Sequence, residues 1–244
     1  MSESKNFYLI NGISGSLGTA TALALLDLGN RVLGIGRNAP ASGFLMSHKD
    51  FSFERVTEYS QDEYLAVLEV SSRVDEITHV IMNSGSALGL SDPADVSLAD
   101  EMFDVNFIIH AKLMSLIIER CSNIKCVCFI SSISGCESHG HPLYSAAKAA
   151  VIAYARCIGR YLAQQNTAVF SVSPGAFIDD TGYWAKVSNS EPERFSEFVE
   201  SRLAVSTMPS SHHIAEFVTL LCEHSSPVMA GNNYTFDGGQ GRSW

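Results

Sequence analysis

Positive charge is scarce in this chain. Lys and Arg number 16 against 26 Asp and Glu over 244 residues, a formal net charge of -10. That balance argues against nucleic acid or an anionic membrane as a partner. Long apolar runs are missing as well, and none approaches the roughly 18 residues a membrane span requires. The opening "MSESKNFYLI" is acidic and polar before a short apolar run, unlike a secretory signal. Six cysteines contain no Cys-x-x-Cys pair. Buried free thiols in a reducing cytoplasm are therefore expected, with no disulfides and no metal site. Cys126 and Cys128, two apart, should face one side of a strand. Repeats, low-complexity tracts and interdomain linkers are also absent, which leaves one domain over residues 1–244.

What is present is apolar and regular. Hydrophobic residues make up 46% of the chain and charged residues 17%, as in a well-packed globular protein. Short apolar runs read as strands: "NFYLI", "RVLGI", "FSFERV", "HVIMN", "KCVCFIS", "TAVFSVS" and "NNYTF". Helical patterns cover 17–28, 62–70, 98–121, 144–164, 191–203 and 212–222. Strands alternating with such helices predict an α/β fold: one doubly wound, mostly parallel, seven-stranded sheet with helices on both faces. Crossovers should be right-handed. Ligands of such sheets sit beyond the carboxyl ends of the strands, so the chemistry should follow each strand.

The first strand is followed by "NGISGSLG", in which Gly12, Gly15 and Gly18 punctuate a turn into a helix. Glycines permit close approach of a ligand, and the amides around Ser14, Ser16 and Leu17 could bind a pyrophosphate. The spacing differs from G-x-G-x-x-G. The second strand is followed by "GRNAPASG". No acid stands between Arg31 and Lys49 to accept from a ribose hydroxyl, and Arg37 is placed to meet a 2′-phosphate. The fourth strand is followed by Asn83, Ser84 and Gly85, the fifth by Ser131 and Ser132, and the sixth by Pro174 and Gly175.

The segment "HPLYSAAKAAVIAYARCIG" places Tyr144 and Lys148 four apart, on one face of a helix. A lysine ammonium beside a phenol favours the phenolate and can tune it for proton transfer. Isolated Tyr-x-x-x-Lys pairs are common. This pair shares a crevice with serines, an asparagine turn and a glycine turn.

Together these residues resemble the short-chain dehydrogenase/reductase family over essentially the whole chain. "YSAAK" matches its Tyr-x-x-x-Lys, "NGISGSLG" its glycine turn, "MNSG" its Asn-Asn-Ala-Gly turn and "SPG" its Pro-Gly turn, while "NYTFDGG" resembles its closing strand. The resemblance implies that Tyr144 is the general acid in reduction and the base in oxidation. Lys148 would lower the Tyr144 pKa and bind the nicotinamide ribose. Ser132, with Ser131 as runner-up, would polarise the substrate carbonyl. Asn106 in "FDVNFIIHAKL" would hold a water that connects Lys148 to solvent. The cofactor would be NADP(H) by preference, with NAD(H) possible, and the substrate a small carbonyl compound or alcohol. A homodimer or homotetramer built on the two long helices is implied.

There are departures. Asn11 replaces a threonine, Ser16 a glycine and Ser84 an alanine. The family threonine four residues past Gly175 is Asp179 here, with Thr181 two further on, so either could face the nicotinamide carboxamide. His139 and His141 precede the tyrosine, as substrate-pocket residues or as ordinary loop. Region 181–208, with Tyr183 and Trp184, matches the family's substrate lid; the alternative is simple packing of a helix pair. Two rival functions remain: a catalytically silent Rossmann protein that senses cofactor or binds a partner, and a nucleotide-sugar epimerase or dehydratase. The complete Ser, Tyr, Lys and Asn set argues against the first, and the short C-terminal region against the second.

Overall fold

The computed structural model describes residues 5–58, 60–70, 74–137, 140–180 and 182–242. The strands are β1 (Phe7–Asn11), β2 (Arg31–Gly36), β3 (Phe51–Arg55), β4 (His79–Met82), β5 (Cys126–Ile130), β6 (Ala168–Pro174) and β7 (Asn233–Phe236). They form a single sheet in the order β3-β2-β1-β4-β5-β6-β7. Every neighbouring pair is parallel.

A parallel sheet buried on both faces needs apolar side chains at both phases of its two-residue period. β1 supplies them directly. Phe7 and Leu9 enter one core, and Tyr8 and Ile10 the other. β5 repeats the pattern, with Val127 and Phe129 on one side and Cys126, Cys128 and Ile130 on the other. Cys126 and Cys128 thus share a face, as their spacing requires. Cys121, Cys126, Cys128 and Cys222 are buried free thiols, whereas Cys136 and Cys157 are exposed, which corrects the expectation of uniformly buried cysteines.

The helices are α1 (Ser16–Asp27), α2 (Gly43–Ser47), α3 (Gln61–Val70), α4 (Ala99–Phe103), α5 (Ile109–Arg120), α6 (Pro142–Leu162), α7 (Tyr183–Ser190), α8 (Pro192–Arg202) and α9 (Ser211–Glu223). α1 and α9 cover the face that holds Tyr8 and Ile10, through Leu25, Leu26, Ile214 and Val218. α3, α5 and α6 cover the other through Leu68, Leu113, Met114 and Val151. The short helix α2 was not expected, whereas α7 and α8 form a helix pair within 181–208. The helix expected over 98–121 is not continuous, because a π-helical turn, Asp104–Ile108, separates α4 from α5. Such turns widen a helix by one residue and are frequent at functional sites. Among the described residues, no helix is long and apolar enough to cross a membrane.

β1 lies between β2 and β4, so the connections leaving β1 and β4 run to opposite faces of the sheet. This is the switch point at which a doubly wound sheet opens a crevice.

Candidate active site

The glycine turn and the Asn83–Gly85 turn leave neighbouring strands and are stitched together. The Asn11 side-chain carbonyl accepts from the backbone N–H of Asn83 at 2.7 Å and of Ser84 at 3.3 Å. In return the Asn83 amide donates to the Gly12 carbonyl at 2.9 Å. Asn11, a departure from the family threonine, therefore ties the two turns. Gly12 has φ +71°, and a Cβ there would lie 2.7 Å from the Ser84 nitrogen, so no other residue fits. Gly18 is equally confined: a Cβ would come within 2.9 Å of the Asn83 amide.

Gly15 caps α1 without a side-chain hydrogen bond, and the first turn of α1 carries no acid. A Cβ on Gly15 would meet only the Gly12 carbonyl, at 3.6 Å. The Gly15 N–H donates to the Gly12 carbonyl at 3.3 Å, and the head of α1 that follows is the end of a helix whose dipole favours an anion. Ser16 and Leu17 line the cleft beside it, and Ser14 lines an adjoining cavity.

That cleft, of about 530 Å³, brings most of the expected residues together. Asn83, Gly85, Ser131, Ser132, Tyr144, Lys148, Pro174 and Gly175 all line it. Pro174 ends β6, and the Gly175 N–H donates to the Phe236 carbonyl at 3.1 Å.

Tyr144 and Lys148 lie in the first two turns of α6, whose start is fixed by Pro142 and by His141. His141 accepts from the Leu143 N–H at 3.2 Å, and its other ring nitrogen lies 2.8 Å from the Asp92 carbonyl. It is a helix cap and loop anchor, and does not line the cleft. His139 lies outside the described residues.

The two serines do different things. The Ser131 hydroxyl donates to the Lys148 carbonyl at 2.8 Å and is spent on holding α6 to the end of β5. Ser132 lines the cleft with Tyr144, and its hydroxyl accepts from the Ser134 N–H at 3.1 Å. Burial pushes the Tyr144 phenol up from its ordinary value, and the Ser132 hydroxyl works in the opposite direction. The expected lowering by Lys148 is not among the causes. The Lys148 ammonium lies 5.8 Å from the Tyr144 ring centre and donates to the Ile130 carbonyl at 3.1 Å. Lys148 is itself buried, which brings its pKa down to about 8. At neutral pH the pair is thus a protonated phenol beside a mostly protonated amine.

Asn106 sits in the π-helical turn and is fully buried. Its carbonyl accepts from the Ser86 N–H at 3.0 Å, while its amide donates to the Ser86 carbonyl at 2.8 Å and the Met102 carbonyl at 2.9 Å. Expected as the holder of a water, Asn106 here clamps the backbone just after Gly85. A Cβ on Gly85 would lie 2.8 Å from both the Asn106 carbonyl oxygen and the Lys148 ammonium. Only glycine leaves these two groups facing each other.

Arg37 lies in a smaller pocket of about 190 Å³ with Glu58, Glu101, Asp104 and Lys112. Ser86 lines both this pocket and the main cleft, so the two adjoin. Lys112 is a second base that was not visible from the loop after β2, because it comes from α5.

Tyr183 is exposed and lines the cleft. Trp184 turns away and packs on α8, 4.1 Å from Phe198 and 6.2 Å from Phe195 between ring centres. Asp179 accepts from the Ser16 hydroxyl and from the Gly182 N–H. Thr181 lies outside the described residues. Among the described residues, no cluster of three or more His, Cys, Asp or Glu could hold a metal.

Two buried histidines, His79 and His110, escaped sequence reasoning. His110, one helical turn past Asn106, is fully buried, with neither ring nitrogen hydrogen-bonded. The signal for it was the i, i+4 spacing from Asn106.

Known proteins share this architecture. Residues 12–240 match the family model described as enoyl-(acyl carrier protein) reductase. A 3-oxoacyl-(acyl-carrier-protein) reductase of Rickettsia conorii is 24% identical over 242 residues, 95% of each chain. L-sorbose reductase from Gluconobacter frateurii, solved with NADPH and L-sorbose, matches with a TM-score of 0.84 at 17% identity, over 99% of this chain and 98% of the other. A short-chain dehydrogenase from Leptospira borgpetersenii with bound NAD+ matches with a TM-score of 0.82 at 18% identity, over 97% and 92% of the two chains.

Proposed function

We propose that this chain, which belongs to the short-chain dehydrogenase/reductase family of oxidoreductases, reduces a small carbonyl compound to a secondary alcohol, or runs the reverse, with Tyr144 moving the proton. The observation that carries this reading is the convergence of Ser132, Tyr144 and buried Lys148 on one cleft, beside the head of α1.

The residues present fit a nicotinamide dinucleotide. The amides of Ser16 and Leu17, at the head of α1, would hold its diphosphate. Lys148, which lines the cleft, would hold the ribose, with Asn83, Gly85, Pro174 and Gly175 walling the nicotinamide end. When bound, that cofactor supplies or accepts the hydride. Ser132 donates a hydrogen bond to the substrate oxygen and orients it. Tyr144, kept protonated by burial, delivers its proton to that oxygen as charge develops there. Lys148 holds positive charge close to the phenolate that is left. Tyr183 and the α7–α8 pair would form the lid over the substrate, and α5 and α6, with exposed Ile118 and Tyr161, would build a homo-oligomer.

The test is a screen of ketones, 3-oxoacyl and enoyl thioesters and ketose sugars with NADPH or NADH, followed by absorbance. Turnover of a carbonyl substrate is expected; a protein that binds cofactor yet turns over only enoyl thioesters would overturn the reading.

Lys148→Met is expected to weaken cofactor binding and slow turnover together. For reduction, the wild-type rate should fall on the alkaline side near pH 8, where Lys148 loses its proton. In the variant that limb should move to higher pH. An unchanged profile would make Lys148 a purely structural residue.

NADP(H) is the proposed preference. Arg37 and Lys112 can meet a 2′-phosphate, and no acid ends β2. A charge-assisted hydrogen bond is worth roughly 1.5–3 kcal/mol. Glu58, Glu101 and Asp104 in the same pocket oppose it, so a preference of about tenfold, near 1.4 kcal/mol, is expected. Titrating both cofactors against wild type and Arg37→Ala decides this; an alanine variant that keeps the full preference would remove Arg37 from the argument.

A further inference from the structure

Asp179 stands four residues past Gly175, in the segment between β6 and α7. One carboxylate oxygen accepts from the hydroxyl of Ser16, the first residue of α1. The other accepts from the N–H of Gly182, the residue that caps α7. The side chain thus joins the heads of two helices that belong to different functions: α1 opens the anion-binding turn, and α7 carries Tyr183 over the cleft. Neither helix has a side-chain cap from its own N-cap residue, since both N-caps are glycines. Ser16 lines both the main cleft and the neighbouring cavity that contains Asp179.

A carboxylate at the head of α1 is where the helix dipole favours negative charge. A diphosphate is favoured at the same place for the same reason. Two anions cannot share the Ser16 hydroxyl without repulsion in a partly dry crevice. We infer that Asp179 is a displaceable internal anion: it occupies the Ser16 end of the diphosphate site, weakens cofactor binding, and on displacement releases the head of α7 over the catalytic cleft. This rests on the oxidoreductase reading above and adds a cofactor-affinity residue to it. It also replaces the expectation that the residue at this offset serves the nicotinamide carboxamide, because the Asp179 carboxylate is turned to α1.

The experiment compares wild type with Asp179→Asn, which keeps shape and removes charge. Binding of NADPH, NADH and ADP-ribose is measured by calorimetry. Hydrogen exchange of the amides over Tyr183–Ser190 is followed with and without ADP-ribose, a probe with the diphosphate but no nicotinamide. Asp179→Asn should bind all three about tenfold more tightly, since like charges in proximity are costly. In wild type, ADP-ribose should speed exchange across α7; the asparagine variant should already exchange faster without it. Ser16→Ala, which breaks the contact from the other side, should also speed α7 exchange in the free protein. Unchanged or weaker ADP-ribose binding by Asp179→Asn, or α7 exchange indifferent to all three perturbations, would overturn the inference while leaving the oxidoreductase reading intact. Wild-type protein that binds none of the three nucleotides would sink both.

Discussion

Tyr144→Phe should lower kcat for carbonyl reduction by about 10²–10⁴-fold, the range that general acid catalysis supplies, with cofactor affinity nearly unchanged. Removing the hydroxyl deletes the proposed proton donor and leaves the head of α1, which would cradle the diphosphate, unaltered. The ring keeps its place at the head of α6, because the helix start is set by Pro142 and the His141 cap rather than by the hydroxyl. Ser132 would still accept from the Ser134 N–H at 3.1 Å. The loss should therefore appear in kcat and not in the dissociation constant. Steady-state kinetics on any substrate found in the screen, beside a calorimetric titration of NADPH, separates the two. Wild-type turnover in the phenylalanine variant would remove Tyr144 from the proton path.

The sheet was legible because burial on both faces leaves a simple mark. Each central strand had to be a short, largely apolar run, bounded by residues that break it. The residues at strand ends were legible for a related reason: glycines, serines and Pro174 interrupt those runs where the backbone leaves the sheet. Tyr144 and Lys148 could be paired because helical spacing is local.

What could not be read is non-local. The π-helical turn at Asp104–Ile108 leaves no compositional trace, since its apolar residues fit a helix of either winding. The division of labour between Ser131 and Ser132 depends on which hydroxyl meets the carbonyl of Lys148, 17 residues away. Lys112 joins Arg37 only because α5 passes the end of β2. Asp179 reaches Ser16 across 163 residues of chain. α2 and α7 are short helices whose positions depend on what they pack against, and at that length propensity is a weak guide. For α7 the contact is made by Trp184 against α8, and half of the expected lid wall is spent there.

Acid should destabilise this protein well above the pH at which carboxylates titrate. Two histidines are responsible. Burial, with Lys148 adding repulsion, pushes His110 down to about 3. Burial, with Lys125 adding repulsion, pushes His79 down to about 4, in a stack 4.5 Å from Tyr8. In the unfolded chain both return to about 6.5. The folded-state values are depressed, so the unfolded chain binds more protons whenever the pH lies between the two values. Stability therefore rises with pH through that window. The contribution is complete above about pH 6.5 and is lost as the pH falls towards 4 for His79 and 3 for His110. Each histidine adds a slope of up to about 1.4 kcal/mol per pH unit. Between pH 6.5 and 5, carboxylates remain charged in both states, so two protons should dominate the slope, at up to about 2.7 kcal/mol per unit. Against a typical net stability of about 5–15 kcal/mol, that is enough to unfold a marginal domain. Urea titrations at pH 7, 6 and 5 measure it. His110→Phe should remove one of the two protons and halve the slope, whatever it does to stability at pH 7. Its neighbour Phe129, 6.3 Å away between ring centres, gives an aromatic replacement a ready surface. A free energy of unfolding that stays flat from pH 7 to 5 in the wild type would show that neither imidazole is held neutral by the fold.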